Sequence, residues 1–235
     1  MTQDAERSAT SGAARGESAA ALAALLMVAT AGLAYELALG ASESLLLGDP
    51  VVHFALVIGT YMTALGAGAW ATGWIRERVE AWCVYALLAT AVLGGTSGLG
   101  LLATFAWGGP FKVALYGWTI TLGVLVGAQL PLMMRILKKT ERFEEVVAKS
   151  FAVDYAGALL GSLAFSLWMM PRLGLVRATL LLGVLDAAAA WFVARLERGA
   201  AGAAARRAAA IAIAVVLVLL MLIARRIEAS WEPML

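Results

Sequence analysis

The sequence predicts an all-α protein, a polytopic transmembrane bundle of about seven helices. Three observations carry that prediction. Of 235 residues, 62% are hydrophobic and only 14% charged, with a mean hydropathy of +0.85; a soluble domain carries about 25% charged residues. Apolar runs repeatedly reach the ~20 residues that a helix needs to cross a bilayer. The connections between them are short, which leaves no soluble domain of useful size.

Residues 1–18 mix Ser, Thr, Ala, Gly and both signs of charge and read as a disordered tail. Arg7 and Arg15 ahead of an apolar run also suit a signal peptide cleaved near Ala31 to Ala34. The run continues to Gly40, however, which is long enough to span. The transmembrane domain is expected over residues 19–224, with a C-terminal tail at 225–235. Its spans fall near 19–41, 51–75, 81–106, 112–134, 150–170, 177–194 and 207–224.

The first span holds Glu36, four residues before Gly40. A carboxylate in an apolar segment is costly unless it faces protein or water, so it marks a candidate functional site. The plainer alternative is a helix-end carboxylate reaching the headgroups, since Glu36 lies about one turn from the segment end. The following connection carries Glu43 and Asp49 and no Lys or Arg. Asp49 suits an N-cap and Pro50 the first turn of the second span, which places His53 at the headgroups. That span ends in Ala64, Gly66, Ala67 and Gly68, small enough to admit another helix closely.

The third span is rich in glycine at Gly94, Gly95, Gly98 and Gly100, which fits a kink, a close crossing or a re-entrant segment. The fourth pairs Gly123 with Gly127 and continues through Gln129 to Pro131, where a missing N–H predicts a kink. The fifth carries Asp154, Tyr155, Gly157 and Gly161; the two glycines, four apart, share one helix face and predict a helix contact. The sixth carries Asp186 about nine residues in. Trp70, Trp74, Trp82, Trp107, Trp168 and Trp191 fall near span ends, as interfacial aromatic belts do.

Glu36, Asp154 and Asp186 are thus the intramembrane carboxylates, with Tyr155 and Gln129 as further polar candidates. On this topology Glu36 and Asp154 lie near opposite faces, more than about 20 Å apart in depth, and no shared site is expected. Asp186 is the costliest and should be shielded inside the bundle; Arg177, Tyr155, Thr121 and Gln129 match it by type. Tyr61 with Ala64, Leu65 and Ala67 weakly resembles Tyr155 with Ala158, Leu159 and Gly161. An inverted repeat would explain that, as would the simple recurrence of small residues in membrane helices.

One cysteine, Cys83, excludes an internal disulfide and a multi-cysteine metal site, and it reads as a small interfacial filler. One histidine excludes a histidine cluster. No P-loop or Gly-rich strand-to-helix turn is present. No metal, cofactor or nucleic-acid partner is expected. Arg135, Lys138, Lys139 and Arg142, with Glu141, Glu144 and Glu145, read as a solvated amphipathic loop or short helix suited to anionic lipid.

Several motifs in order resemble one family: Tyr35-Glu36, Leu47-Gly48-Asp49, Gly66-Ala67-Gly68, Gly127-Ala128-Gln129-Leu130-Pro131-Leu132, Asp154-Tyr155-Ala156-Gly157-Ala158-Leu159 and Pro171-Arg172-Leu173-Gly174. From about residue 20 onward the chain resembles the membrane-embedded N-terminal region of integral-membrane spermidine synthase-like (polyamine aminopropyltransferase) proteins. In that family a soluble catalytic domain follows, bringing a Rossmann-like sheet, a Gly-rich turn for the nucleoside cofactor and acidic residues for the polyamine. Arg226 to Glu232 resembles the lead-in to that domain, none of whose features occurs in this sequence. The resemblance therefore implies a truncated protein or a free-standing membrane subunit, with no aminopropyltransferase activity of its own.

The expected function is a non-catalytic membrane module, in the cell's inner (plasma) membrane, that anchors or scaffolds a soluble aminopropyltransferase-like protein or a larger complex. The expected partners are lipid, a protein partner or a second copy, and a polyamine as candidate ligand. The alternative is a small transporter or channel for a polyamine or another cation, supported by the carboxylates and the weak repeat.

Overall fold

Ala and Leu, the best helix formers, dominate the apolar runs. A helix also satisfies every backbone N–H and C=O within its own segment, as an apolar phase demands. The computed structural model describes residues 2–47, 50–138, 142–197 and 202–231. Among these there is no strand. Seven helices follow in order: α1 (Thr2–Leu47), α2 (Pro50–Ala71), α3 (Val79–Ala106), α4 (Phe111–Leu137), α5 (Phe143–Ala164), α6 (Met170–Leu196) and α7 (Ala203–Trp231). A 3-10 turn, Thr72–Trp74, closes α2, and a π turn, Phe165–Met169, joins α5 to α6.

Six helical stretches are long and apolar enough to cross a membrane: Gly16–Leu46, Phe54–Trp74, Val79–Ala106, Phe111–Leu137, Phe143–Leu196 and Ala203–Ala224. The fifth, 54 residues long, joins what the sequence divides into spans 150–170 and 177–194. Gly174 breaks it with φ 69° and ψ 174°, a backbone conformation essentially confined to glycine. Packing on either side of that break runs in opposite senses along α1. Val146 shares a cluster with Ala21, and Phe165 and Met169 lie against Ala31 to Ala38. Beyond the break, Ala178 and Leu182 share the Ala31–Ala38 cluster, while Ala189 to Ala194 return to Ala24, Leu25 and Val28. So α5 runs parallel to α1 and α6 runs back beside it.

Helix α1 is the axis of the bundle. It touches α2, α3, α4, α5 and α6, whereas α7 lies outside on α6 and α3. Where the sequence suggests a disordered tail at residues 1–18, the described helix already starts at Thr2; alanine is frequent there and favours helix. Likewise α7 continues to Trp231, into the tail expected at 225–235. Asp49, the expected cap of α2, lies outside the described residues, as do Lys139, Glu141, Arg198 and the side chain of His53.

The glycines explain the close helix contacts. Helix α3 is continuous, and its glycines admit neighbours: a Cβ on Gly94 would lie 2.5 Å from Cζ of Tyr35, and one on Gly98 would lie 2.7 Å from Oγ1 of Thr179. A Cβ on Gly123 would lie 2.9 Å from the Tyr61 carbonyl oxygen, and one on Gly127 would collide with the Leu65 backbone. On Gly68 it would collide with the Val124 backbone, and on Gly161 with that of Thr30. On Gly157 it would lie 2.6 Å from the Ala29 methyl. Gly66 differs: a Cβ there meets nothing within 4 Å, because its face of α2 looks into a cleft rather than at a helix. Helix α4 passes through Pro131 as one helix, and its Arg135 guanidinium donates to the Thr72 carbonyl oxygen at 3.2 Å, tying down the end of α2.

Candidate functional site

Helices α2 and α5 do not touch among the described residues. Between them opens a cleft of about 570 Å³ whose floor is α1 and α4. Gly32, Leu33 and Glu36 come from α1, Tyr61, Met62 and Gly66 from α2, Gly127 and Pro131 from α4, and Phe151, Asp154 and Tyr155 from α5. The rim is open: Met62, Gly66, Phe151 and Tyr155 are exposed. The walls are apolar except for the two carboxylates and the two tyrosines.

Glu36 is 97% buried on the cleft floor, given its 3% exposure, and its Oε2 makes no hydrogen bond among the described residues. Tyr61, fully buried beside it, is committed elsewhere: its hydroxyl donates to the Gly32 carbonyl oxygen at 2.9 Å. Asp154 is half-buried in the α5 wall. The expectation that Glu36 and Asp154 occupy unrelated places is therefore corrected, since both line one cleft. The cleft runs lengthwise and reaches both levels.

Asp186 is fully buried in α6, facing the bundle core rather than the cleft. Tyr35 is near enough for the two side chains to interact electrostatically. Yet neither carboxylate oxygen of Asp186 nor the Tyr35 hydroxyl has a hydrogen bond of ordinary geometry among the described residues. The partners matched to Asp186 by residue type bond elsewhere. Arg177 donates to the Leu173 carbonyl at 2.9 Å, Thr121 to the Gly117 carbonyl at 2.7 Å, and Gln129 to Oγ1 of Thr90 at 2.8 Å. Tyr155 is exposed at the cleft rim. Gln129 is buried with Oε1 unpartnered, so it serves as a link between α4 and α3. Tyr61 and Tyr155, paired in the weak repeat, occupy unlike settings, one buried and one 70% exposed.

Two polar sites escaped the sequence reading. Glu43 is fully buried, and the Tyr116 hydroxyl donates to its Oε1 at 3.2 Å. Glu197 and Arg206 form a buried ion pair across the α6–α7 connection, with the guanidinium 5.7 Å from the Tyr85 ring centroid. Both residues carry signals of a kind, Glu43 as an acid one turn past a span and Arg206 as a cation at a span start. A solvated residue carries the same signal. Cys83, read as an interfacial filler, is buried in the core. Among the described residues no three His, Cys, Asp or Glu side chains come together to hold a metal.

Fold and cleft together define an all-helical bundle of membrane-crossing length with carboxylates along one open cleft. No protein-family model matches the chain, and no solved structure matches it. Curated relatives do. A protein named polyamine aminopropyltransferase 2 from Ralstonia nicotianae is 41% identical over 170 residues, covering 71% of this chain and 33% of that protein. One named polyamine aminopropyltransferase from Leptospira interrogans is 36% identical over 162 residues, covering 69% and 32%. Polyamine aminopropyltransferase 1 of Streptomyces coelicolor is 39% identical over 171 residues, covering 72% and 32%. These matches support the spermidine synthase-like relationship read from the motifs. The chain spans about a third of the length of the curated relatives it matches.

Proposed function

We propose that this chain is the membrane-embedded module of a polyamine aminopropyltransferase system, and that it anchors or scaffolds an aminopropyltransferase-like catalytic partner. The supporting observation is the asymmetry of the matches: about 70% of this chain aligns with only about a third of each relative. The module crosses the inner membrane seven times with its amino terminus in the cytoplasm. Two features support seven crossings, the reversal at Gly174 and the opposite senses of α5 and α6 along α1. The test is to isolate the tagged chain from its own host's membranes and, separately, as a pure protein. Each preparation is assayed for aminopropyl transfer from the decarboxylated nucleoside cofactor to putrescine. Activity is expected with the native-membrane preparation and none with the pure chain. A native-membrane preparation without activity would overturn the scaffold reading, and activity of the pure chain would overturn its non-catalytic half.

A second reading, a small transporter or channel for a polyamine or another cation, draws on one observation: Glu36 and Asp154 line the same cleft. Uptake of labelled spermidine into proteoliposomes would decide it.

A further inference from the structure

A second groove, separate from the cleft of Glu36 and Asp154, opens between α2 and α3. These two helices do not touch among the described residues. One wall runs from Gly68 to Ile75, the other from Trp82 to Ala89, and α4 from Val124 to Leu132 forms the floor. The groove holds about 310 Å³ and its lining is apolar almost throughout. At 1.5 Å of rise per residue the floor is roughly 12 Å long, a little less than half of the ~30 Å hydrocarbon core of a bilayer. Volume over length gives a cross-section of roughly 26 Å², whereas an α-helix ~10–12 Å across needs about three times that or more. An added helix is therefore too wide and too long. An extended hydrocarbon chain of about ten bonds fits both dimensions, at the ~1.2 Å per bond of an extended covalent chain.

The two ends of the groove differ in charge. The connection from Ile75 to Arg78 joins its walls, so Arg76 and Arg78 stand at that end, both exposed. The floor helix brings Arg135 there as well, about one turn beyond Leu132, with its guanidinium on the Thr72 carbonyl oxygen at 3.2 Å. That bond leaves the guanidinium further N–H donors. None of the three arginines pairs with a carboxylate among the described residues. Glu77 is the exposed carboxylate of the connection, while Glu80 lines a separate small cavity with Glu17 and Ile136. Trp82 and Tyr85, half-exposed and packed edge to face, flank the same end, as aromatics do at a membrane interface. At the opposite end, by Gly68 and Val124, no lining residue is charged. The occupant that matches has an anionic head at the arginines and one hydrocarbon chain along the floor. A phosphodiester offers the acceptor oxygens that guanidinium forks engage.

We propose that the groove between α2 and α3 is a specific site for an anionic glycerophospholipid, with one acyl chain along α4 and the phosphate held by Arg76, Arg78 and Arg135. The site is independent of both functional readings above.

The test titrates the full chain, purified in a mild non-ionic detergent, with dioleoylphosphatidylglycerol or dioleoylphosphatidylcholine and reads retention by native mass spectrometry. One retained phosphatidylglycerol per chain is expected, with phosphatidylcholine weaker by about tenfold. Arg76→Gln combined with Arg78→Gln removes two exposed charges without touching the core, and it should bring phosphatidylglycerol down to the phosphatidylcholine level. Arg142→Gln removes an exposed cation from the α4–α5 connection instead and should change nothing. Ala89→Leu grows from a half-buried position in the groove wall and should displace both lipids, with thermal unfolding recorded alongside. Should it fail to fold, the arginine pair decides alone. Glycerol 3-phosphate, the same anion without chains, should not compete. Equal retention of the two lipids, full retention by the arginine pair or by folded Ala89→Leu, or an equal loss in Arg142→Gln would each overturn the site. Competition by glycerol 3-phosphate would overturn it in favour of a free anion, and a dimer that dissociates in Ala89→Leu would overturn it in favour of a second copy of the chain.

Discussion

Unpaired carboxylates in an apolar helix are rare because the group's own solvation must be surrendered. At Asp186 that surrender is complete, with no exposure and no ordinary hydrogen bond among the described residues. The side chain is enclosed by helices, and its neighbour is Tyr35, whose ring in turn lies over Gly94. A larger side chain has no room to expand there. Asp186→Asn, which keeps the shape, should therefore fold and unfold much as wild type does. Asp186→Leu should overpack the site and fall about 1–3 kcal/mol below the Asn variant. Thermal unfolding in one detergent compares the two. Leu equal to or better than Asn would mean that the position looks toward lipid. Glu36, Asp154 and Asp186 were legible in the sequence because a charge within an apolar run is visible locally. Tyr35 and Tyr61 stood out only as motif and repeat residues and not as neighbours of those carboxylates, since an aromatic in an apolar run looks like any core residue. The common cleft of Glu36 and Asp154 was also hidden, because it depends on α2 and α5 standing apart, a property of neither helix alone.

Among the helices, glycine content by itself did not distinguish contact from void. The sequence grouped Gly66 and Gly68 as packing residues along with Gly123, Gly127, Gly157 and Gly161. Two residues apart on a helix means about 200° of rotation, so Gly66 and Gly68 face different ways. Gly68 meets the Val124 backbone and Gly66 meets open space. The outcome of one substitution should therefore change sign along the chain. Gly161→Ala and Gly127→Ala force a methyl against neighbouring backbone and should each cost about 1–3 kcal/mol. Gly66→Ala adds only helix propensity and should gain about 0.5–1 kcal/mol. Denaturation of the three variants side by side is the measurement; equal effects at all three positions would refute the packing described. The Gly-rich third segment, for which a kink or re-entrant path was open, is straightforwardly a helix whose missing side chains admit Tyr35, Thr179, Gly183 and Trp118.

For the whole molecule, orientation follows from where the basic residues fall once the ends of the bundle are assigned. The start of α1's span, the end of α2, the start of α3, the end of α4, the start of α5, the end of α6 and the start of α7 meet at one end, as the shared clusters of Ala21, Leu137, Val146 and Leu196 indicate. By sequence, the amino-terminal stretch, the helix ends and the connections assigned to that side carry Arg7, Arg15, Arg76, Arg78, Arg135, Lys138, Lys139, Arg142, Lys149, Arg195, Arg198, Arg206 and Arg207. The other side holds only Lys112, Arg172, Arg177, Arg225 and Arg226 of the 18 Lys and Arg in the chain. On the proposed seven crossings, the positive-inside rule predicts that the richer side faces the cytoplasm, with the amino terminus inside and the carboxyl terminus outside. Arg206 weighs little in this balance, since it is buried against Glu197. Removing it leaves the asymmetry intact. On the scaffold proposal, a catalytic partner using a cytoplasmic nucleoside cofactor would then dock on the loop side that carries Arg76, Arg135 and Arg142 rather than follow α7. Alkaline phosphatase and, separately, a fluorescent protein fused after Leu235 test this. An active phosphatase and a dark fluorescent fusion are expected. The reverse pattern would place the carboxyl terminus in the cytoplasm, remove one crossing and return the docking face to the end of α7.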